Sequence, residues 1–274
     1  SDALTAASKN LAFAETGVSI DTVKESREFL DWLCAGHFTL MGYSEYEFFE
    51  SKGERSLREI ENKRLGLFKQ SAKGASTTTM DDFNPGMASF HLKPHALAFS
   101  KSSVRSRVHR QAYSDYVVAK KYNAKGEVIG ESRFLGLYTS PVYTLSPTKI
   151  PLIRQKVAHV MERSNIDASS YYGKVIRQVL ETFPRDELLQ SSSNELFDTV
   201  MGVSQINERH MVRLFVRRDP YGKFVNCIVY VPRDVFDSSV RGNIQELISQ
   251  KINATECQFT THFSESILAR VHLV

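Results

Sequence analysis

Apolar residues first recur with helical spacing in residues 21–36, where they fall on one face. Asp21 or Thr22 would cap this helix at its N-terminus, and Gly36 would end it. The preceding residues 1–20 show only weak periodicity, so we expect them to form a mobile or helical lead-in.

Alternating apolar and polar residues then predict a strand over residues 37–49. The apolar side chains expected on one side of this strand are Phe38, Leu40, Tyr46 and Phe48. A second, short strand is predicted at residues 64–69. From Gln70 to His95 the composition shifts to Ser, Thr, Gly and Pro, which predicts a long loop.

The most basic part of the chain is SKSSVRSRVHRQAYSDYVVAKK, residues 100–121. Its valines and cations alternate, so a strand here places the cations on one face. From Lys101 to Lys125 there are seven Lys or Arg residues against one acidic residue, Asp115, although the whole chain carries only +4. Two β-rich runs on either side of Asn123–Gly126 predict a hairpin, within an antiparallel sheet of about five strands.

After Pro147 the pattern becomes helical in three successive stretches, the last opened by a capping box of Ser192 and Glu195. Residues 211–274 then read strand, strand, helix, strand, strand, which is typical of a small α/β sandwich. The predicted fold class is therefore α+β: an antiparallel sheet with flanking helices, a helical connector and a second, smaller sheet.

Length and composition favour two domains of a globular protein, with 42% apolar and 24% charged residues in a chain of 274. Three cysteines without CxxC spacing predict reduced thiols in a cytoplasmic protein. Neither a signal peptide nor a membrane-spanning run is recognisable in the sequence. We therefore expect no membrane association.

Catalytic and cofactor motifs are missing from the sequence. It contains no glycine-rich dinucleotide or phosphate loop and no nucleophile elbow. His91 and His95 have the spacing of two zinc ligands on a helix, but Pro94 between them disrupts such a helix. We therefore predict no catalytic residue, no cofactor-binding residue and no metal site in these residues.

The basic stretch allows three interpretations, which the sequence leaves open. It is a solvated strand face, a pocket for a small carboxylate or phosphate, or a nucleic-acid surface. Nucleic acid ranks last because the positive window is short. The tyrosines that would stack bases are more often packing residues in β-runs; they are Tyr113, Tyr116, Tyr122 and Tyr138.

Six blocks of this sequence, in order from about residue 21 to the end, resemble the large bacterial NAD-specific glutamate dehydrogenases. The blocks are FLDWLCAGHFTLMGYSEYEF, SKSSVRSRVHRQAYSDYV, GESRFLGLYTSPVY, IPLIRQKVAHVMERSNID, LETFPRDELLQ and VRLFVRRDPYGKFVNCIVYVPRDVF. The resemblance implies a segment of a very long chain whose N-terminal part holds ACT-like and PAS-like modules.

On this resemblance, residues 1–20 are a lead-in, 21–148 a PAS-like domain, 149–208 a helical connector and 209–274 an ACT-like, ferredoxin-like domain. The parent enzyme would oxidise L-glutamate to 2-oxoglutarate and ammonia with NAD. Its catalytic domain would lie downstream in the same chain, so the resemblance implies no catalytic residue here. A homo-oligomer and an amino-acid effector are the further partners it implies.

Two groups of residues are candidates for effector or interdomain contacts. In the basic stretch they are Arg105, Arg107, His109 and Arg110. In the turn before the last helix they are Arg233 and Asp234, because a helix start offers free amides to a carboxylate. The alternative to a regulatory segment is a free-standing small-molecule sensor or nucleic-acid module that uses the basic hairpin at residues 101–125.

Overall fold

A computed structural model describes residues 2–51, 54–70, 77–80, 85–105, 113–206, 209–264 and 266–274. They form two compact units, one of residues 1–157 with 184–190 and one of 158–183 with 191–274. Each unit combines helices with an antiparallel sheet, which confirms the α+β class predicted from the sequence. The segment predicted as a helical connector is divided between the two units.

The helices are α1 (Asp2–Asn10), α2 (Ile20–Trp32), α3 (Leu67–Gln70), α4 (Pro85–Leu92), α5 (Ser140–Thr144), α6 (Ile153–Ser164), α7 (Tyr171–Thr182), α8 (Arg185–Gln190), α9 (Ser193–Ile206) and α10 (Ser238–Ile252). The strands are β1 (Phe38–Ser51), β2 (Glu54–Glu59), β3 (Leu65–Gly66), β4 (Thr77–Thr79), β5 (Leu97–Arg105), β6 (Tyr113–Tyr122), β7 (Val128–Tyr138), β8 (Arg213–Arg218), β9 (Val225–Pro232), β10 (Phe259–Phe263) and β11 (Leu268–Leu273).

The sheet of the first unit runs β4-β2-β1-β7-β6-β5, with β3 paired to β1, and all its pairs are antiparallel. Its five long strands agree with the predicted number, and β6 and β7 form the predicted hairpin. One detail of β1 differs from the prediction. A bulge between Leu40 and Gly42 shifts the register, so Phe38 and Leu40 lie on the face opposite to Tyr46 and Phe48.

Helix α2 packs on this sheet through its apolar face. Phe29 is fully buried and meets the ring of Phe99 on β5 edge to face, with centroids 5.4 Å apart. The predicted caps were wrong, because the side chain of Ser19 accepts the hydrogen bond from Thr22 N. The α-helix ends at Trp32, earlier than the predicted end at Gly36, and a π-helical turn, Leu33–His37, follows it. Gly36 lies in this turn, and its φ of 96° is the left-handed conformation that glycine tolerates.

The segment predicted as a loop from Gln70 to His95 contains regular structure where it is described. It includes the short strand β4 and the two-turn helix α4, which ends before Pro94. Residues 64–69, predicted as a strand, divide into β3 and α3. The prediction from composition failed here because Ser, Thr and Gly disfavour helices and strands only weakly. Packing against a sheet overrides their preference for loops.

The sheet of the second unit runs β10-β11-β9-β8, also entirely antiparallel. One face carries Cys227, Val229, Val231, Val271 and Leu273, and α10 packs on it through Val240, Ile244 and Ile248. On the other face, α9 comes so close that a Cβ on Gly202 would lie 2.7 Å from the ring of Phe215. An antiparallel sheet whose β9 and β10 are joined through a helix is the predicted α/β sandwich.

The pairing of the strands shows which of them form the edges of this second sheet. β11 pairs with both β9 and β10 and is a central strand. The edges are β8 and β10. Residues 149–208 also contain a helix that the sequence pattern did not predict. This helix, α8, begins directly after Pro184, because proline is tolerated at the start of a helix as well as after its end.

Phe29 offers a test of the packing of α2. Replacing Phe29 with alanine is expected to lower the free energy of unfolding of the first unit by about 3–5 kcal/mol, because it removes a fully buried ring. Phe13→Ala is the matched control, since that ring is 49% exposed, and it should cost less than about 1 kcal/mol. Urea unfolding followed by fluorescence of Trp32, the single tryptophan, measures both. Equal losses would contradict the described packing.

Candidate functional site

The candidate residues of the basic stretch fall only partly within the described chain. Arg105 is the last residue of β5 and lies opposite Tyr113. Arg107, His109 and Arg110 lie outside the described residues. The role predicted for these four side chains therefore stays a prediction.

The described lysines of the same stretch are engaged inside the first unit. Lys101 Nζ lies 2.8 Å from Asp115 Oδ1 and 2.7 Å from Asp186 Oδ2, which ties β5 and β6 to helix α8. Lys101 is nearly buried. Burial alone would lower the pKa of its amine, but the opposing effect of the two aspartates is larger. The pKa is therefore raised above its ordinary value, and the amine stays charged.

The most buried charges of the first unit lie at the centre of its sheet. Lys120 on β6 and Glu131 on β7 are directly opposite, and their side chains are 0% exposed. Lys120 Nζ donates to Glu131 Oε2 at 2.6 Å and to the carbonyl oxygen of His91 at 3.0 Å. Arg133 Nε donates to the other carboxylate oxygen at 2.7 Å. Both oxygens of Glu131 are thus paired with cations.

These contacts decide the charge state of Glu131. Burial by itself would raise the pKa of this carboxyl, but Lys120 and Arg133, with a smaller contribution from His91, hold it well below its ordinary range. A second pairing lies nearby: Lys121 Nζ donates to Glu45 Oε2 at 2.7 Å. The lysines at 101, 120 and 121 hold the sheet together rather than forming a surface for a polyanion.

The second candidate site is the turn between β9 and α10. Pro232 ends β9, and the next amide, that of Arg233, donates to Ile267 O at 2.8 Å. The Arg233 guanidinium donates to Ser264 O at 2.9 Å, with its carbon 5.4 Å from the centroid of the Phe263 ring. The turn is therefore fastened to the β10–β11 connection, and Arg233 has a defined position on an exposed surface.

The start of α10 corrects one part of the expectation for this turn. The helix begins at Ser238, and Asp237 is its N-cap, with Oδ1 accepting from Val240 N at 2.7 Å. Asp237 thus already accepts a hydrogen bond from one of the free amides that we expected a ligand carboxylate to use. It also places a negative charge at the start of the helix. Any anion site at this turn must depend on Arg233.

Arg233 and Asp234 are consecutive, exposed and of opposite charge. Asp234 Oδ1 lies 3.7 Å from His210 Nδ1, a long contact between exposed groups. A guanidinium next to a carboxylate complements the carboxylate and ammonium of a free amino acid. The turn therefore presents the charge pattern that an amino-acid ligand needs.

No group of three or more His, Cys, Asp or Glu side chains in the described ranges is placed to hold a metal ion. Cys34, Cys227 and Cys257 are thiols and not disulfides. Among the described helices, none combines the length and hydropathy needed to cross a bilayer.

Two protein-family models match adjacent segments in the second half of the chain. Residues 150–209 match the model of the glutamate dehydrogenase helical motif 1, and residues 213–274 match that of the glutamate dehydrogenase ACT2 domain. The strand, strand, helix, strand, strand order described above is the ACT-like fold that this second match implies.

The chain is similar over most of its length to curated NAD-specific glutamate dehydrogenases. It is 43% identical over 265 residues to that of Pseudomonas aeruginosa and 39% identical over 251 residues to that of Halomonas elongata. The Mycobacterium tuberculosis protein is 27% identical over 249 residues. These alignments cover 96%, 92% and 90% of the chain, but only 16%, 16% and 14% of the relatives.

By fold and by these matches, the chain is an α+β segment in which a helical motif precedes an ACT-type domain. It is similar over most of its length to large NAD-specific glutamate dehydrogenases, which confirms the resemblance stated from the sequence. The chain spans about a sixth of the length of the curated relatives from Pseudomonas and Halomonas, at 16% each.

Glu131 provides a test of the buried network. Glu131→Gln is expected to lower the stability of the first unit by about 3–5 kcal/mol, because it leaves the buried Lys120 amine without a carboxylate. The double variant Lys120→Met with Glu131→Gln should lose less than the single one. Glu47→Gln, which removes an exposed ion pair with Arg58, is the control and should cost less than about 1 kcal/mol.

Because of Glu131, we predict that the stability of the first unit depends on pH. The pKa of Glu131 is lower in the folded chain than the value of about 4.3 expected in the unfolded chain. The ionised carboxylate therefore contributes to the free energy of unfolding above about pH 4.3. This contribution is lost as the pH falls through the folded-state pKa. Urea unfolding of the wild-type chain between pH 7 and pH 3 should show this acid loss. If Glu131→Gln loses as much stability on acidification as the wild type, the ionised Glu131 is not its source.

Proposed function

We propose that this chain is a non-catalytic, N-terminal regulatory and assembly segment of an NAD-dependent glutamate dehydrogenase. The parent enzyme would convert L-glutamate, NAD and water to 2-oxoglutarate, ammonia and NADH in the cytoplasm. NAD and the catalytic residues would then belong to a downstream domain of the same chain. The observation that carries this proposal is the consecutive match to helical motif 1 and the ACT2 domain within a chain similar to these dehydrogenases.

We assign residues 21–148 to a PAS-like module as part of this proposal. The five long strands of the first sheet lie in the order β2-β1-β7-β6-β5. The first strand of the unit is therefore central, between the second and the last, and helices α3 and α4 lie between the second and third long strands. Both features are those expected of a PAS-like module.

The regulatory part of the proposal is that an amino acid binds at the turn between β9 and α10. The guanidinium of Arg233 would take its carboxylate, and Asp234 its ammonium group. A ligand that prefers one arrangement of the domains shifts the whole enzyme by its difference in affinity between the arrangements. Regulation of this kind needs no chemistry within the segment itself.

The assembly part is that two copies of the segment associate through the edge strand β8. Leu214 and Val216 lie opposite Val229 and Cys227, on the face that α10 covers elsewhere, yet both are exposed. An edge strand with exposed apolar side chains is a template for pairing with another strand. A homo-oligomer joined here would cover both features at once.

A free-standing nucleic-acid or sensor module is the competing function. It needs cations and aromatic rings on the surface of the basic hairpin. In the described part of residues 101–125, however, Lys101, Lys120 and Lys121 pair with carboxylates, while Tyr122 is buried. Salt-dependent binding of RNA or DNA would favour the competing function.

Calorimetric titration of the chain with free amino acids tests the effector site. Binding is expected to weaken about ten- to a hundredfold in Arg233→Ala, since a hydrogen bond to a charged group is worth about 1.5–3 kcal/mol. Arg218→Ala, which removes an exposed arginine of β8 away from the turn, should bind like the wild type. Equal affinity of wild type and Arg233→Ala would rule out the turn as the site, and an absence of heat with every amino acid would rule out this effector.

Light scattering after size exclusion tests assembly through β8. The chain is expected to form an oligomer that Val216→Lys converts toward a monomer, because an edge lysine opposes strand pairing. Val235→Lys is the control, since Val235 is 57% exposed and Val216 is 56% exposed. A wild-type chain that is monomeric at all accessible concentrations would contradict association of this segment alone.

A further inference from the structure

A row of four side chains crosses the second sheet on the face away from α10. Arg213 lies opposite Tyr230, Tyr230 opposite Arg270, and Arg270 opposite His262. Directly opposed side chains of an antiparallel pair share a face with their Cβ atoms about 5 Å apart. The row therefore brings two guanidinium groups, a phenol and an imidazole together, without any carboxylate among them.

Arg270 is the centre of this row and is largely buried. Its Nη1 donates to Thr182 O at 2.6 Å, and its side chain also bonds to the Tyr230 hydroxyl. Its Nε is buried and has no hydrogen-bond partner among the described residues. No carboxylate of those residues forms an ion pair with it either. Burial accordingly lowers the pKa of this guanidinium, which nonetheless remains protonated.

The environment of Arg270 differs from that of the other deeply placed cations. Lys101 has two aspartates and Lys120 has Glu131. Arg270 has instead two neutral partners, the Tyr230 hydroxyl and the carbonyl of Thr182. Thr182 is the last residue of α7, where the helix dipole supplies a partial negative charge. A buried guanidinium whose charge is only partly compensated is stabilised further when an anion binds to it.

The row is accessible from the side of β10. Thr260 and His262 are exposed on the same face, and Arg270 is partly exposed between them and the end of α7. Among the described residues, the charge that acts on His262 is that of Arg270, and the titratable group that acts on Arg270 is the Tyr230 hydroxyl. Burial first, and Arg270 second, lower the pKa of His262 below its ordinary value. An approaching anion would reverse the contribution of Arg270.

We propose that Arg270, His262 and Tyr230 form a binding site for a small carboxylate on the face of the second sheet opposite to α10. One carboxylate oxygen accepts from the partly exposed Arg270 guanidinium, and the other faces His262, which takes up a proton when the carboxylate binds. The site is separate from the turn at Arg233 and Asp234, which is at the end of β9 on its way to α10. It holds whether or not that turn binds an effector.

The competing explanation is that Arg270 only fastens α7 to the sheet through Thr182 O. His262 separates the two explanations, because nothing in the described structure makes it part of that fastening. A carboxylate site predicts that ligand binding raises the pKa of His262. It also predicts that affinity increases as the pH falls through the titration of this imidazole.

The test is an NMR titration of the histidine ring signals of the 274-residue chain, with and without succinate, using His262→Gln to assign the signal. Succinate is expected to bind saturably and to raise the pKa of His262. Arg270→Lys keeps a cation that can reach Thr182 O but loses the planar fork, so succinate binding should weaken about tenfold or more. His262→Gln should weaken it too and remove its dependence on pH near neutrality.

His210→Gln is the matched control, because His210 is an exposed histidine beside Asp234 at the other site. It should leave succinate binding and the pKa of His262 unchanged. The proposal is overturned if succinate at high concentration leaves that pKa where it was, or if Arg270→Lys and His262→Gln bind succinate as the wild type does. Loss of binding in Arg233→Ala or His210→Gln alone would assign the carboxylate to the turn and equally overturn the proposal.

Discussion

A charge taken out of water needs a partner of opposite sign, and this requirement accounts for the buried charges of the first unit. In the first unit Lys120, Glu131 and Arg133 neutralise one another at the centre of the sheet, and Lys101 joins Asp115 to Asp186. Replacing such groups by apolar ones would often be neutral, whereas removing one partner is costly, so the network defines one arrangement of strands more than it adds stability.

The cations of the two units differ in the partners they have. In the first sheet the described lysines are already paired, and that sheet is a scaffold on which α2, α4 and α8 pack. In the second unit the guanidinium groups of Arg233 and Arg270 donate to carbonyl oxygens, and those of Arg213 and Arg233 lie over aromatic rings. The two proposed sites for small acids, at Arg233 and at Arg270, therefore both lie in the second unit.

Much of the local structure could be predicted because local signals and tertiary packing agree. The capping box of Ser192 and Glu195 opens α9 as expected, with Glu195 Oε2 accepting from Ser192 N at 2.8 Å. The hairpins and α10 also follow from spacing alone. One prediction failed because a single residue changes the register. The bulge between Leu40 and Gly42 reverses the faces of β1, and no alternation rule reveals an inserted residue.

The sequence by itself determined the class of the fold, the approximate strands and helices, and the family, because these depend on periodicity and on blocks of residues in order. Only the tertiary structure decided which charges meet. Lys120 and Glu131 are separated by a turn in the sequence, and Arg270 is far from Tyr230, yet each pair is opposed in a sheet. Pairing across strands depends on register and strand order, which arise from the packing of the whole chain and leave no local pattern.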